Sequence, residues 1–214
     1  MTRPWVGAQL DDALAARATD GLLGASVAAV QAGTLTPEDA VFNLMVLLGA
    51  GAETTTSLIG LAVAALARDL ELQADLRAAP HRVPAFIEEV LRFDAPFRYH
   101  PRTAARTCEL GGVEIPKGAL VLLLWASANR DPAVFTEPDT IIVDRPNANL
   151  HFGFGRGTHH CVGAALARLE ARVVLVRLLA RTERFVLDTD RPEQWHPSIW
   201  VHGHDRLPLV LVPL

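Results

Sequence analysis

Phe154-Gly155-Arg156-Gly157-Thr158-His159-His160-Cys161-Val162-Gly163 places one cysteine between glycine-spaced turns and a long Ala/Leu/Arg segment that runs helically to about Leu179. Gly155, Gly157 and Gly163 let the backbone bend and come close to a flat cofactor. A cysteine where a helix begins is favoured as thiolate, because the helix N-terminus stabilises negative charge. Backbone N–H groups of such a turn can also temper the electron donation of the sulfur. This chemistry suits the protein ligand of a haem iron. The same residues admit two other readings. One is a glycine-rich loop around a structural cysteine, and the other is a zinc site built from His151, His159, His160 and Cys161. Zinc sites use paired short spacings, and adjacent His159 and His160 cannot easily face one metal together.

Composition bounds the rest. With 214 residues, half of them hydrophobic, the chain is of single-domain length with one sizeable core. A net charge of −4 gives no reason to expect nucleic acid as a partner. Two cysteines far apart, Cys108 and Cys161, imply no disulfide framework. The N-terminus lacks a signal-peptide pattern, and the most apolar stretch, Val41 to Ala52, is too short to span a bilayer. The expectation is a cytoplasmic protein without a membrane partner.

Helices precede mixed structure. Gly21 to Ala32 reads as a helix closed by Gly33. Thr36-Pro37-Glu38-Asp39 then supplies an N-cap hydroxyl, a first-position proline and first-turn acids for a long helix to about Arg68. That helix is apolar on nearly every side, which predicts burial along its length. Ala67 to Ala79 and Val83 to Phe93 read as two further helices. Thr107 to Ile115 reads as a hairpin turning at Gly111-Gly112, with Ala119 to Leu124 continuing as a strand. Asn129 to Gly157 should be irregular. Phe185 to Leu187, Ser198 to His202 and Leu207 to Val212 read as short strands.

Two more stretches carry polar groups in apolar surroundings. Ala50-Gly51-Ala52-Glu53-Thr54-Thr55 sets an acid beside an alcohol within the long helix. It is either a polar notch, bent by the Thr54 hydroxyl turning to the Ala50 carbonyl, or a break between two helices. Glu89 and Arg92, at i, i+3, share one helix face; taken alone, such a pair is most often a solvated ion pair.

The cysteine stretch fits F-G-x-G-x-H-x-C-x-G at every fixed position, and so resembles the signature of the cytochrome P450 family of haem-thiolate monooxygenases. The other segments resemble that family's motifs in their order along the chain. The resemblance implies a mainly α fold with small β-sheets (α+β), matching the C-terminal half of the family's fold: a single partial domain over residues 1–214. Its implied cofactor is haem b, iron protoporphyrin IX, with Cys161 as metal ligand and Phe154, Gly155, His159, Gly163 and Arg102 as further cofactor-binding residues. Arg102 and His159 correspond to propionate contacts. Glu53 and Thr54 correspond to the proton-delivering acid and alcohol. Glu89, Arg92 and Arg145 correspond to a buried network behind the haem loop. Met45, Ala50, Phe97 and Ile199 are the candidates to face substrate. Arg168, Arg172 and Arg156 either form a basic face for an acidic electron donor or are solvated. The implied reaction is insertion of one oxygen atom of O2 into a small organic substrate, with electrons from a ferredoxin or similar donor. The alternative is a haem-binding or partner-binding remnant without turnover. Complete family members are roughly twice this long, so a missing N-terminal half is a further expected partner, and apolar surface should lie exposed without it.

Overall fold

The structure is a computed structural model and describes residues 3–214. Packing divides the chain into one compact unit ending at Glu53 and a second beginning at Thr54.

The first unit contains α1 (Arg3–Ala16), α2 (Gly21–Gln31) and the start of α3 (Pro37–Arg68). Leu10, Ala13, Val27 and Ala40 form its small core. Gly33, at φ +70°, closes α2 in a conformation that favours glycine. Thr36 caps α3 as expected: its Oγ1 accepts from Asp39 N at 3.1 Å and donates to Asp39 Oδ2 at 2.7 Å. The helix is unbroken over Ala50 to Thr55, which removes the reading of that stretch as a break.

Burial along α3 differs from the sequence expectation. Leu58 to Ala67 is packed apart from half-buried positions, whereas Phe42, Val46 and Leu48 are exposed. An all-round apolar helix is buried only where other elements surround it. By length and composition α3 is also apolar enough to cross a membrane, a test that core helices pass too.

The second unit packs the end of α3 with α4 (Leu70–Ala78), α5 (Val83–Phe93) and α7 (Ala164–Arg181) around Leu66, Leu76, Phe86, Ile87, Leu175 and Phe185. Asp69 caps α4 by accepting from Leu72 N at 2.9 Å. Buried Gln73 joins α4 to the neighbouring β5 (Thr182–Leu187), donating to Phe185 O at 2.9 Å and accepting from Phe185 N at 3.0 Å. Among the described residues there are four two-stranded antiparallel sheets. The Gly111-Gly112 turn joins β2 (Cys108–Leu110) to β3 (Val113–Ile115), both glycines having positive φ. β4 (Leu120–Leu123) does not extend that hairpin; it pairs with β1 (His100–Thr103), which the sequence had not revealed. A one-turn helix, α6 (Trp125–Ala128), follows. β5 pairs β8 (Leu209–Pro213), and β6 (Gln194–Trp195) pairs β7 (His204–Arg206). Ser198 to Val201, expected within a strand, is a turn: Ser198 Oγ accepts from Trp200 N and Val201 N, each at 3.1 Å.

Candidate functional site

The cysteine loop is a tight backbone turn with an open end. Gly155 N donates to Phe152 O at 2.8 Å, Cys161 N to Phe154 O at 2.9 Å, and His160 N to Gly157 O at 3.0 Å. Gly155 and Gly157 have φ of +65° and +73°, where a side chain would be strained. The helix starts at Ala164, slightly later than the sequence suggested, with Gly163 as N-cap and no side chain capping its first turn. Those uncapped N–H groups form the positive end of an 18-residue dipole near the sulfur. Cys161 and Val162 are exposed, as is His159 in its one-turn helix. A Cβ on Gly163 would lie 3.8 Å from Cys161 Sγ, so the glycine keeps that side of the thiol bare. An accessible sulfur beside naked backbone fits a thiolate that would hold the iron of a flat cofactor. Zinc fits poorly: among the described residues no three His, Cys, Asp or Glu come together to hold a metal, and His151 is engaged elsewhere.

Behind the loop lies a network of buried charges. Glu89 and Arg92 on α5 are fully buried, and Arg145 nearly so. Arg92 grips Glu89 bidentately, Nε to Oε2 and Nη2 to Oε1, both at 2.8 Å. Arg145 Nε and Ile142 N donate to Glu89 Oε1 at 2.9 and 3.0 Å. The remaining guanidinium hydrogens go to carbonyls of the irregular segment: Asn129, Pro138 and Thr140 for Arg92, and Thr136, Glu137 and Thr140 for Arg145. Burial pushes the Glu89 pKa up, but the donors from Arg92, Ile142 and Arg145 outweigh it and leave it lowered. The bland reading of Glu89 and Arg92 as a solvated pair is thereby overturned.

A second network escaped sequence reasoning. Glu88, next to Glu89, takes two hydrogen bonds from Arg168 of α7, at 2.6 and 2.8 Å. His151 Nε2 lies 3.2 Å from Glu88 Oε2, while His151 Nδ1 accepts from Gly153 N at 2.9 Å. The neutral ring therefore carries its hydrogen on Nε2 and donates to Glu88. Burial raises the Glu88 pKa, yet Arg168 and His151 bring it down to about 2. The Arg168 guanidinium lies 4.5 Å from the centre of the Phe154 ring. Arg168 thus spends its charge inside this network, which corrects its reading as part of a free basic face. Arg156 lies over Phe152 at 5.3 Å. Gly153 has little room for a side chain: a Cβ there would meet Leu91 O at 2.9 Å.

The other candidates occupy separate positions. Arg102 stands exposed on β1 opposite Val121, its Nη1 donating to Pro101 O at 2.8 Å. Two residues earlier, His100 Nδ1 accepts from Trp125 Nε1 at 2.7 Å, and Trp125 stacks on Phe152 at 5.3 Å. These contacts tie the strand of Arg102 to the cysteine loop. Glu53 is exposed and Thr54 half-buried on α3, and Met45 and Ala50 lie on the same helix toward its start. Phe97 bridges Val201, so it adjoins the turn that presents exposed Ile199.

Comparison with known proteins agrees with this geometry. The family model described as Cytochrome P450 matches residues 8–201. Cytochrome P450 144 of Mycobacterium tuberculosis is 44% identical over 200 residues, 94% of this chain and 46% of its own length. Cytochrome P450 109 of Bacillus spizizenii is 42% identical over 82% of this chain and 43% of its own. The structure of CYP150A6 of Mycobacterium marinum superposes with a TM-score of 0.88 at 31% identity, covering 99% of this chain and 55% of that one. The chain thus spans about half the length of the curated relatives it matches, corresponding to their C-terminal part. The fold expected from the sequence, mainly helical with small sheets, is the one observed, and the cofactor of such proteins is haem b. A match running through the long helix, both charge networks and the cysteine loop leaves one assignment: this chain belongs to the cytochrome P450 family.

Proposed function

We propose that this chain forms the haem-carrying half of a monooxygenase that inserts one oxygen atom of O2 into a small organic substrate. The observation that carries this reading is the exposed Cys161 in a glycine-opened loop braced by two charge networks. When bound, haem b supplies the iron at which dioxygen is reduced and its O–O bond cleaved. Cys161 Sγ would hold the iron as its thiolate ligand and donate electron density to it. Glu89, Arg92 and Arg145 brace the segment before the loop, while Arg168 holds Phe154. Arg102 suits one haem propionate, since its fork matches a carboxylate and it stands exposed; His159 suits the other. The Thr54 hydroxyl would hold and pass on a proton, and Glu53, once protonated from solvent, would restore it. Met45, Ala50, Phe97 and Ile199 contact substrate. A ferredoxin or similar donor supplies electrons in the cytoplasm.

We further propose that a segment equivalent to the relatives' N-terminal half completes the enzyme. Exposed Val162, Leu166, Leu169 and Val173, at helical spacing, form an apolar stripe of the kind that another element covers. That stripe also favours the second reading, a haem-binding remnant without turnover. Hemin titration separates these possibilities. A haem-thiolate reading requires stoichiometric binding and the red-shifted carbon monoxide band after reduction, both abolished as a thiolate spectrum in Cys161→Ala. A band unchanged in that variant refutes the ligand assignment. Binding without product formation, even with an added N-terminal half and donor, selects the remnant.

A further inference from the structure

Away from the cysteine loop, three histidines meet three carboxylates around one tryptophan. The Trp195 ring packs against two imidazoles, that of His202 at 4.7 Å and 10° from parallel, and that of His204 at 4.0 Å. His202 Nε2 is 2.9 Å from Asp94 Oδ1 at the end of α5, and its Nδ1 is 2.8 Å from Arg98 Nη2. His204 Nε2 lies 2.9 Å from Glu193 Oε2, and that carboxylate also holds Arg68 at the end of α3. His196 Nδ1 lies 2.9 Å from Asp205 Oδ1.

His204 differs from the other two. Its side chain is 2% exposed, and its Nδ1 is buried with no hydrogen-bond partner among the described residues. A Cβ built on Gly60 of α3 would lie 3.8 Å from that nitrogen. The segment is also pressed onto α3 at Gly203, where a Cβ would come within 2.7 Å of Ser57 Cβ. A neutral ring here leaves only a lone pair unmatched. A protonated ring buries an unpaired N–H and a charge, which costs more. The groups facing His204 are Glu193, which favours the charge, and Arg68 and His202, which oppose it, with the uncharged faces of Trp195 and Gly60 completing the surroundings. Burial lowers its pKa first, Glu193 pulls it back, and the net direction is down.

We infer that His204 is an acid-sensitive latch, whose protonation releases β6, β7 and the Ser198–Val201 turn between them from α3 and α5. That turn carries Ile199, so the latch governs whether an apolar wall stands beside Phe97. The inference does not depend on haem or turnover. A group whose pKa is lower in the held state than when released favours holding above the released value, about 6.5, and loses that contribution as pH falls to the held value. Over that window the opening equilibrium rises up to about tenfold per pH unit.

Amide hydrogen exchange of the full chain tests this, corrected for the intrinsic pH dependence of exchange, with the β5 and β8 amides as internal reference. Between pH 7 and pH 5.5 the protection of residues 194–206 should fall, by up to about tenfold, relative to that reference. In His204→Gln, which retains a donor for Glu193, protection should not change with pH. Equal protection of the wild-type segment at both pH values overturns the latch, as does an unchanged acid response in the variant. The wild-type chain supplies a second criterion in case the variant folds poorly. The acid-induced rise in exchange should level off at the pH where the His204 ring of the held chain titrates by NMR, and levelling off at the titration of His196 or His202 instead overturns the assignment.

Discussion

Arg92→Ala removes the guanidinium on which the buried network closes. In the wild type the Glu89 carboxylate receives four hydrogen bonds, two of them from Arg92 at 2.8 Å. The variant leaves that carboxylate with Arg145 and Ile142 alone. It also strips a donor from the carbonyls of Asn129, Pro138 and Thr140 and removes the cation over the Phe135 ring, 5.3 Å away. Breaking one partner out of a buried pair costs about 3–5 kcal/mol, because the other charge stays desolvated. At a urea m-value of about 2 kcal/mol/M, a loss of ~4 kcal/mol lowers the unfolding midpoint by about 2 M. Total stabilities of about 5–15 kcal/mol put the variant near the edge of folding. Arg92→Lys keeps the charge without the fork and should fall between the two. Exposed Arg106→Ala is the control and should leave the midpoint unmoved. Glu89 has a lowered pKa when folded, so its contribution is present above the ordinary carboxylate value and is lost as pH falls through the folded one. The acid limb of wild-type stability should therefore be steeper than that of Arg92→Ala. A stability loss below about 1 kcal/mol in urea denaturation would refute the reasoning, since only a hydrated, dispensable pair costs so little.

Glu88→Gln should cost about 1–2 kcal/mol at neutral pH by weakening charge-assisted bonds to Arg168 and His151. Because the Glu88 pKa is about 2 when folded, its stabilisation is lost as pH falls from the ordinary value toward 2, so urea midpoints of variant and wild type should converge in acid. Gly153→Ala forces a methyl to 2.9 Å from the Leu91 carbonyl and 3.1 Å from His151 Nδ1. Thermal unfolding should show a loss of about 1–3 kcal/mol, as overpacking against backbone does. Leu166→Glu with Leu169→Glu places charges on the exposed stripe of α7 and should raise the soluble fraction of the chain expressed alone, measured by sedimentation; unchanged aggregation points to another apolar face.

What the residues alone determined was local in origin. Thr36 and Pro37 start α3, the two glycines at 111–112 close a hairpin, and the glycine pattern around Cys161 shapes its loop, because each acts through backbone geometry within a few positions. Glu89 and Arg92 were visible as a helical i, i+3 pair, and family resemblance supplied Arg145. Contacts far apart in sequence were not visible. Glu88 meets His151 and Arg168 across 63 and 80 residues, and no local pattern distinguishes it from a solvated acid. β4 joins β1 because backbone bonds close the base of the excursion, Ala104 N to Ala119 O and Gly118 N to Ala104 O. Burial of α3 ends where neighbouring elements end, so an apolar pattern alone overstated it. His204 reads as an ordinary loop histidine until folding presses its ring against Gly60 and Trp195. Residue type and spacing set which groups are available for chemistry. Tertiary packing decides which of them lose water, and desolvation turns an ordinary acid or histidine into one whose charge matters.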